Sequence, residues 1–207
     1  MYQQFSPNML KTYELCPKKF YLKYIKGINM PVNDDMFEFG KNIHALASYY
    51  LRGENLENME AALTPRQKLV WEYLRAIKYF GYQVINTEYN LAVKVGNHFF
   101  GGRLDALVKH DDRYYILDYK TGSAPKNAKY DFQTIIYIMS VKEFFKTDKV
   151  TFVYIDLKNR DEVKIEYSQE LEVEYQKKLL DAVKNIELED EPVKKMDCKC
   201  EYSLICY

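Results

Sequence analysis

Two short apolar runs, each carrying an aspartate, constrain this chain more than any other feature. Gly101-Gly102-Arg103-Leu104-Asp105-Ala106-Leu107-Val108 is followed by Tyr115-Ile116-Leu117-Asp118-Tyr119-Lys120-Thr121-Gly122, with the polar turn His110-Asp111-Asp112-Arg113 between them. Both runs read as strands. If Asp111-Asp112 is a two-residue hairpin turn, counting back along both strands puts Asp105 opposite Asp118. Strand side chains alternate, so Asp118 and Lys120 share a face. Like charges directly opposed in a sheet are destabilising. Aspartate is also disfavoured between residues such as Leu104, Ala106, Ile116 and Leu117. Two carboxylates held together with a lysine beside them therefore point to a cation between them. Hard oxygen ligands suit magnesium or manganese.

The rest of the chain supplies a frame for that hairpin. Ser6-Pro7 is a helix start, with an N-cap followed by proline at the first helical position. The stretch to Gly27 reads as helical with a break at Cys16-Pro17. Met36 to Leu51 reads as a second helix with Ile43, Leu46, Ala47 and Tyr50 as its apolar stripe, and a third opens at Thr64-Pro65 and runs to Gly81. Residues 83–95 alternate like a strand, and Gly96-Asn97 turns into the strand that carries Asp105. A helix from about Tyr130 to Phe145 places Phe132, Ile135, Ile136 and Met139 on one face. Strands near 149–157 and 162–167 and a charged helix from Ser168 to about Ile186 complete an α/β layer arrangement with a mainly antiparallel sheet.

The totals agree. A chain of 207 residues can bury one good core, so a single domain over 1–207 is expected. At 47% hydrophobic and 29% charged it is globular in composition. Its zero net charge does not advertise a nucleic-acid partner, although a basic groove can be offset by acids elsewhere. Residues 1–5 lack a charged segment leading into an apolar run, and Ile135 to Met139 is too short to span a membrane, so the expected location is cytoplasmic.

Other side chains are candidates for chemistry. His44 lies beside an apolar stripe, where a lone histidine is more often a packing residue than a ligand. Gln133 and Tyr137 are one helical turn apart, so they share a face, read as lying off the apolar stripe. That face is either a half-exposed polar edge or a pair directed at phosphate or base. Glu88 reads as structural. Cys198, Cys200 and Cys206 cluster in a charged tail, and Cys16 is available as a fourth thiolate for iron–sulfur or zinc.

In order and spacing, Tyr13-Glu14-Leu15-Cys16-Pro17-Lys18-Lys19-Phe20-Tyr21-Leu22, Phe39-Gly40-…-His44, Gly102-Arg103-Leu104-Asp105, Asp118-Tyr119-Lys120-Thr121-Gly122, Gln133-…-Tyr137 and the cysteine tail resemble the RecB-type exonucleases of the PD-(D/E)XK superfamily. The likeness is to the iron–sulfur branch, which includes the CRISPR-associated RecB-like nucleases and helicase–nuclease nuclease domains. The resemblance implies a restriction-endonuclease-like fold, a central mixed sheet flanked by helices. It implies His44, Asp105, Asp118 and the Tyr119 backbone carbonyl as ligands of Mg2+ or Mn2+, Lys120 as the catalytic lysine, and Gln133 and Tyr137 beside DNA. Cys16, Cys198, Cys200 and Cys206 would hold a [4Fe–4S] cluster joining 1–30 to 190–207. The chain departs from the usual pattern by Asp118 in place of glutamate and by the single residue between Cys198 and Cys200. The activity implied is metal-dependent hydrolysis of DNA, as an exonuclease on single-stranded ends in recombination, repair or CRISPR adaptation. The alternative is a catalytically weak DNA-binding subunit of a larger recombination or adaptation complex.

Overall fold

Proline and its neighbours set the start of the chain. The computed structural model describes residues 4–31, 34–194, 198 and 200–206; residues 1–3 of the amino-terminal reading, and Met196 and Lys199 of the tail, lie outside them. Ser6 caps helix α1 (Pro7–Leu15) by accepting the Met9 N–H, and Pro7 occupies the first turn. Cys16 is extended, and Pro17 restarts the chain as α2 (Pro17–Phe20), continued by a π-helical turn over Tyr21–Ile25. The break expected at Cys16-Pro17 is therefore real, because proline there cannot donate into a continuous helix. The second helix is α3 (Asp34–Leu51). A short α4 (Glu57–Ala61), which the sequence reading did not anticipate, precedes α5 (Pro65–Ala76). The third helix is thus shorter than expected: α5 is opened by a Thr64/Gln67 capping box and gives way at Ile77 to a 3-10 turn, Lys78–Gly81.

The sheet has five strands in the order β1-β2-β3-β4-β5. They are β1 (Gln83–Val95), β2 (His98–His110), β3 (Arg113–Lys120), β4 (Val150–Asp156) and β5 (Asp161–Glu166). All neighbours are antiparallel except β3 and β4, which run parallel. A parallel pair needs a crossover, here supplied by α6 (Phe132–Phe145). The last helix is α7 (Gln169–Leu188).

Alternation along the strands divides the core in two. Leu107, Ile116, Phe152 and Tyr154 face a core shared with α1, α6 and α7. Ala106, Val108, Leu117, Tyr119, Val153 and Ile155 face a second core shared with α3 and α5. Helices thus cover both faces of a mixed sheet, as the sequence implied. The face predicted for α6 is wrong, however. Phe132 and every residue from Thr134 to Val141 are buried, so the helix has no half-exposed polar edge over that span. An all-round apolar helix belongs inside the molecule, and this one is enclosed between the sheet and its neighbouring helices.

Candidate active site at the fork between two strands

The β2–β3 hairpin turns at Asp111, with φ 53°, and closes on His110 paired with Arg113. Its ladder runs to Ala106 opposite Leu117 and ends there. The next position on each strand is Asp105 and Asp118, so the two aspartates stand where the strands part. β1 contributes to the parting. Thr87 pairs with Ala106 and Tyr89 with Leu104, but Glu88 between them takes a left-handed φ of 52° and drops out of the ladder opposite Asp105. A non-glycine residue in that region departs from strand geometry, and the interruption leaves Asp105 free to turn toward the end of β3.

There Asp105 works as a clamp. Its Oδ2 accepts the Tyr119 N–H at 3.0 Å, and its Oδ1 lies 3.2 Å from Nδ1 of His44. The other ring nitrogen of His44, Nε2, is 2.8 Å from the Tyr119 carbonyl oxygen. α3 carries His44 across the sheet end. Its approach is close at Gly40, where a Cβ would stand 3.4 Å from Thr121 Oγ1. Both ring nitrogens face acceptors, which suits the doubly protonated imidazolium. Burial by itself lowers the pKa of His44; the hydrogen bond and charge of Asp105, with the charge of Asp118, outweigh it and raise the value above the ordinary 6.5.

Asp118 is 3% exposed. Burial is the largest influence on its carboxyl, pushing the pKa up; Lys120 opposes this and Asp105 adds to it, and the result is raised. Gln133 Nε2 donates to Asp118 Oδ1, and Gln133 Oε1 accepts from Lys120 Nζ at 3.0 Å. Lys120 Nζ also approaches Asp118 Oδ2 to 2.8 Å as an ion pair. Oδ2 is buried and has no other partner among the described residues. Lys120 is itself fixed in the parallel ladder opposite Asp156, and its carbonyl accepts the Leu157 N–H at 2.9 Å.

Hence His44, Asp105, Asp118, Tyr119 and Lys120 come together, with Gln133 bridging Asp118 and Lys120 from α6. Tyr137 does not join them at a solvent face. It is 4% exposed, its ring stacks on Phe152, and its hydroxyl donates to the Arg103 carbonyl at 2.9 Å. A Cβ on Gly102 would lie 2.9 Å from that hydroxyl, so glycine there makes room for the tyrosine. As folded, Tyr137 offers no open ring face to a base.

The donor set fits a hard divalent cation in kind: two carboxylates, an imidazole and a carbonyl, with the buried Asp118 Oδ2 held by Lys120 alone. Among the described residues, no three His, Cys, Asp or Glu side chains are arranged to hold a metal. The cause is visible. The Tyr119 carbonyl is taken up by His44, and the Asp118 charge is balanced by Lys120, so the polar groups of the site are partnered with one another.

Among the described residues, no three of the four cysteines are arranged to hold a metal. Cys198 Sγ is 3.3 Å from Cys200 Sγ, and Cys16 hydrogen-bonds Cys198. Cys206 is buried with Leu22 and Tyr202, with Cys200 against the same group. The Cys200 backbone N–H, then its thiol, lower the Cys198 pKa, whereas burial and Cys198 raise that of Cys200. Nearby, Lys19 pairs with Glu201 at 2.9 Å and the Tyr202 hydroxyl donates to the Ile28 carbonyl at 2.7 Å.

Sequence reasoning missed Glu88 and its partner Arg103. The Glu88 carboxylate meets Arg103 Nε at 2.8 Å, and both line a cavity of ≈ 610 Å³ with His44 and Asp105. The signal was present in the Gly96-Asn97 turn. Counting back from Val95 opposite His98 places Glu88 opposite Asp105.

The sequence model of the PD-(D/E)XK nuclease superfamily matches residues 4–207. The chain belongs to the PD-(D/E)XK nuclease superfamily. Within it, the chain is 27% identical over 206 residues to the CRISPR-associated exonuclease Cas4 of Francisella tularensis subsp. novicida, covering 96% of this chain and 91% of that one. Its fold is shared with a protein of Eubacterium rectale provisionally named an exonuclease. The TM-score is 0.64 at 12% identity, over 96% of this chain and 86% of the other. The fork between β2 and β3 is where the motif residues of this PD-(D/E)XK chain meet. No helix among its described residues is long and apolar enough to cross a membrane.

Proposed function

We propose that the chain is a divalent-metal-dependent deoxyribonuclease acting as an exonuclease on single-stranded ends. The observation that carries this reading is the convergence of Asp105, Asp118, His44 and the Tyr119 carbonyl, with the buried Asp118 Oδ2 held by Lys120 at 2.8 Å. The two aspartates, His44 and the Tyr119 carbonyl are the residues that would hold the ion. Magnesium or manganese bound there would supply Lewis-acid polarisation of a phosphate and a more acidic water. Lys120, tied to Gln133 at one end of its reach, is placed to hold an attacking water by hydrogen bond and to offset phosphate charge. Gln133 keeps Asp118 and Lys120 in register and so positions both. Cleavage would leave a 5′-phosphate if the chemistry of the superfamily holds here.

The similarity to a Cas4 exonuclease supports a place in CRISPR adaptation, with recombination or repair as the broader class of work and other proteins of such a complex as partners. The proximity of Cys198 to Cys200 and Cys16, with Cys206 buried beside Cys200, supports a [4Fe–4S] cluster between 1–30 and 190–207 in a single nuclease domain. Zinc is the competing occupant, and visible absorption near 400 nm in protein prepared without oxygen separates the two (about four irons per chain for a cubane).

The test is the product pattern on end-labelled single- and double-stranded DNA with magnesium, manganese or chelator. Metal-dependent shortening from an end of the single strand, abolished in Lys120→Ala, is expected. Binding of DNA without any metal-stimulated cleavage would favour the alternative, a catalytically weak DNA-binding subunit.

A further inference from the structure

The polar side of α3 forms one wall of the cavity that holds His44 and Asp105. Lys41, His44, Ala45, Ser48, Tyr49 and Arg52 all line it. These positions recur at three- and four-residue steps, so they form a single stripe about 16 Å long at the helical rise. The wall is fixed in place because the Ser48 hydroxyl donates to Thr87 Oγ1 at 2.9 Å inside the protein. Tyr49 is 36% exposed, unusual for a large ring on a cavity wall. The Arg52 guanidinium sits 4.6 Å from its ring centroid and is held by Glu54 at 2.7 Å. Across the cavity Arg103 is anchored to Glu88 through Nε, while its side chain stays 64% exposed. Lys41 is exposed and has no ion-pair partner among the described residues.

We infer that this wall is the track for a single strand of DNA: Tyr49 takes an unpaired base, and Lys41 and Arg103 take phosphates on either side of it. The inference rests on the nuclease reading above and deepens it by naming the strand contacts. An aromatic face combined with cations along a groove is the arrangement that binds single strands, since every base has a π-face and every linkage a charge. Arg52 fixes the tyrosine ring from one side and leaves solvent access for a base to stack. A base on Tyr49 must be out of a duplex, so the track selects unpaired DNA. The role assigned by sequence to Tyr137, whose ring is covered, falls instead to Tyr49. From Tyr49 to His44 is about 7.5 Å along the helix axis, which brings the neighbouring backbone toward Asp105.

The test reads binding in chelator, so that it does not depend on cleavage. Fluorescence anisotropy with a labelled oligothymidine and with a matched blunt duplex is measured over a range of salt. Tyr49→Ala should lose about 5- to 140-fold in affinity for oligothymidine and at least five-fold less for the duplex, while Tyr49→Phe keeps wild-type binding. Lys41→Gln should reduce the slope of log K against log salt by about 0.7, one phosphate's share on a single strand. Wild-type affinity in Tyr49→Ala, or equal losses on single strand and duplex, would overturn the inference. So would an unchanged salt slope in Lys41→Gln, which also serves if Tyr49→Ala fails to fold. A wild-type protein that binds oligothymidine as described yet never cleaves with magnesium or manganese would refute the nuclease reading and leave the track standing.

Discussion

At the scale of single residues, the site is a set of charges that restrain one another. Asp118 has its pKa raised, first by burial, and His44 is raised against burial by Asp105. A group whose pKa is higher folded than unfolded contributes stability below its unfolded value and loses it as pH rises through the folded one. Both shifts therefore have the same sign. In the acid range the lowered carboxyls of Asp156, Glu162, Glu172 and Glu201 work against Asp118, so the readable window is the one above 6.5, where stability in chelator should fall as pH rises through the raised value of His44; a rise in melting temperature there would contradict it. By the same logic Asp118→Asn, measured at pH 7.5 in chelator, should melt no lower than wild type while cleavage is lost. Lys120→Ala should lower turnover by about 10²- to 10³-fold, the scale of removing one group that stabilises developing charge. Tyr137→Phe leaves the Arg103 carbonyl without its donor and should cost about 1–2 kcal/mol of stability, read from denaturant midpoints, with oligothymidine affinity unchanged.

At the scale of elements, the hairpin was legible because it obeys simple counting. The Asp111-Asp112 turn fixes the register, and the register brings Asp105 and Asp118 to the same level. The same counting from Gly96-Asn97 would have exposed Glu88, but a glutamate in an alternating strand carries no mark of the left-handed φ that takes it out of the ladder. The tail of β2 also hid its geometry, since the parting of strands after Ala106 and Leu117 depends on Glu88 in a third strand. α6 was misread for a different reason. Its apolar stripe is genuine, yet Tyr137, Ser140 and Thr134 are buried too, with Thr134 bonded to the Tyr154 hydroxyl at 2.9 Å. A polar atom in a helix shows its partner only when the fold brings the partner over. Because α6 is enclosed by the sheet and by helices, its amides should exchange slowest with solvent, together with those of β3 and β4. Hydrogen-exchange protection lower in α6 than in α5 would contradict that placement.

At the scale of the whole molecule, two apolar cores sit back to back on one mixed sheet, and the proposed site lies at the sheet's end, with Tyr119 joining it to the second core. The cysteine region lies elsewhere again, packed on residues 21–30 through Leu22, Tyr202 and Cys206. Cys206→Ala should therefore loosen the contact of the tail with residues 21–30, seen as faster proteolysis there and, if the proposed cluster is present, as lost iron, before it changes the cleavage rate. Undiminished iron and protease resistance would show that Cys206 is not a ligand. The distribution of positive charge at the β2–β3 fork has a consequence of its own. Lys120 at Asp118 and His44 at Asp105 place protein partners on both carboxylates, so the shape of the fork is held by contacts within the chain. Zinc-finger chains, by contrast, are unfolded until metal arrives. If the fork holds a divalent ion as proposed, loading would be an exchange of one cation for another inside a frame already set by contacts within the protein, as a socket takes a plug.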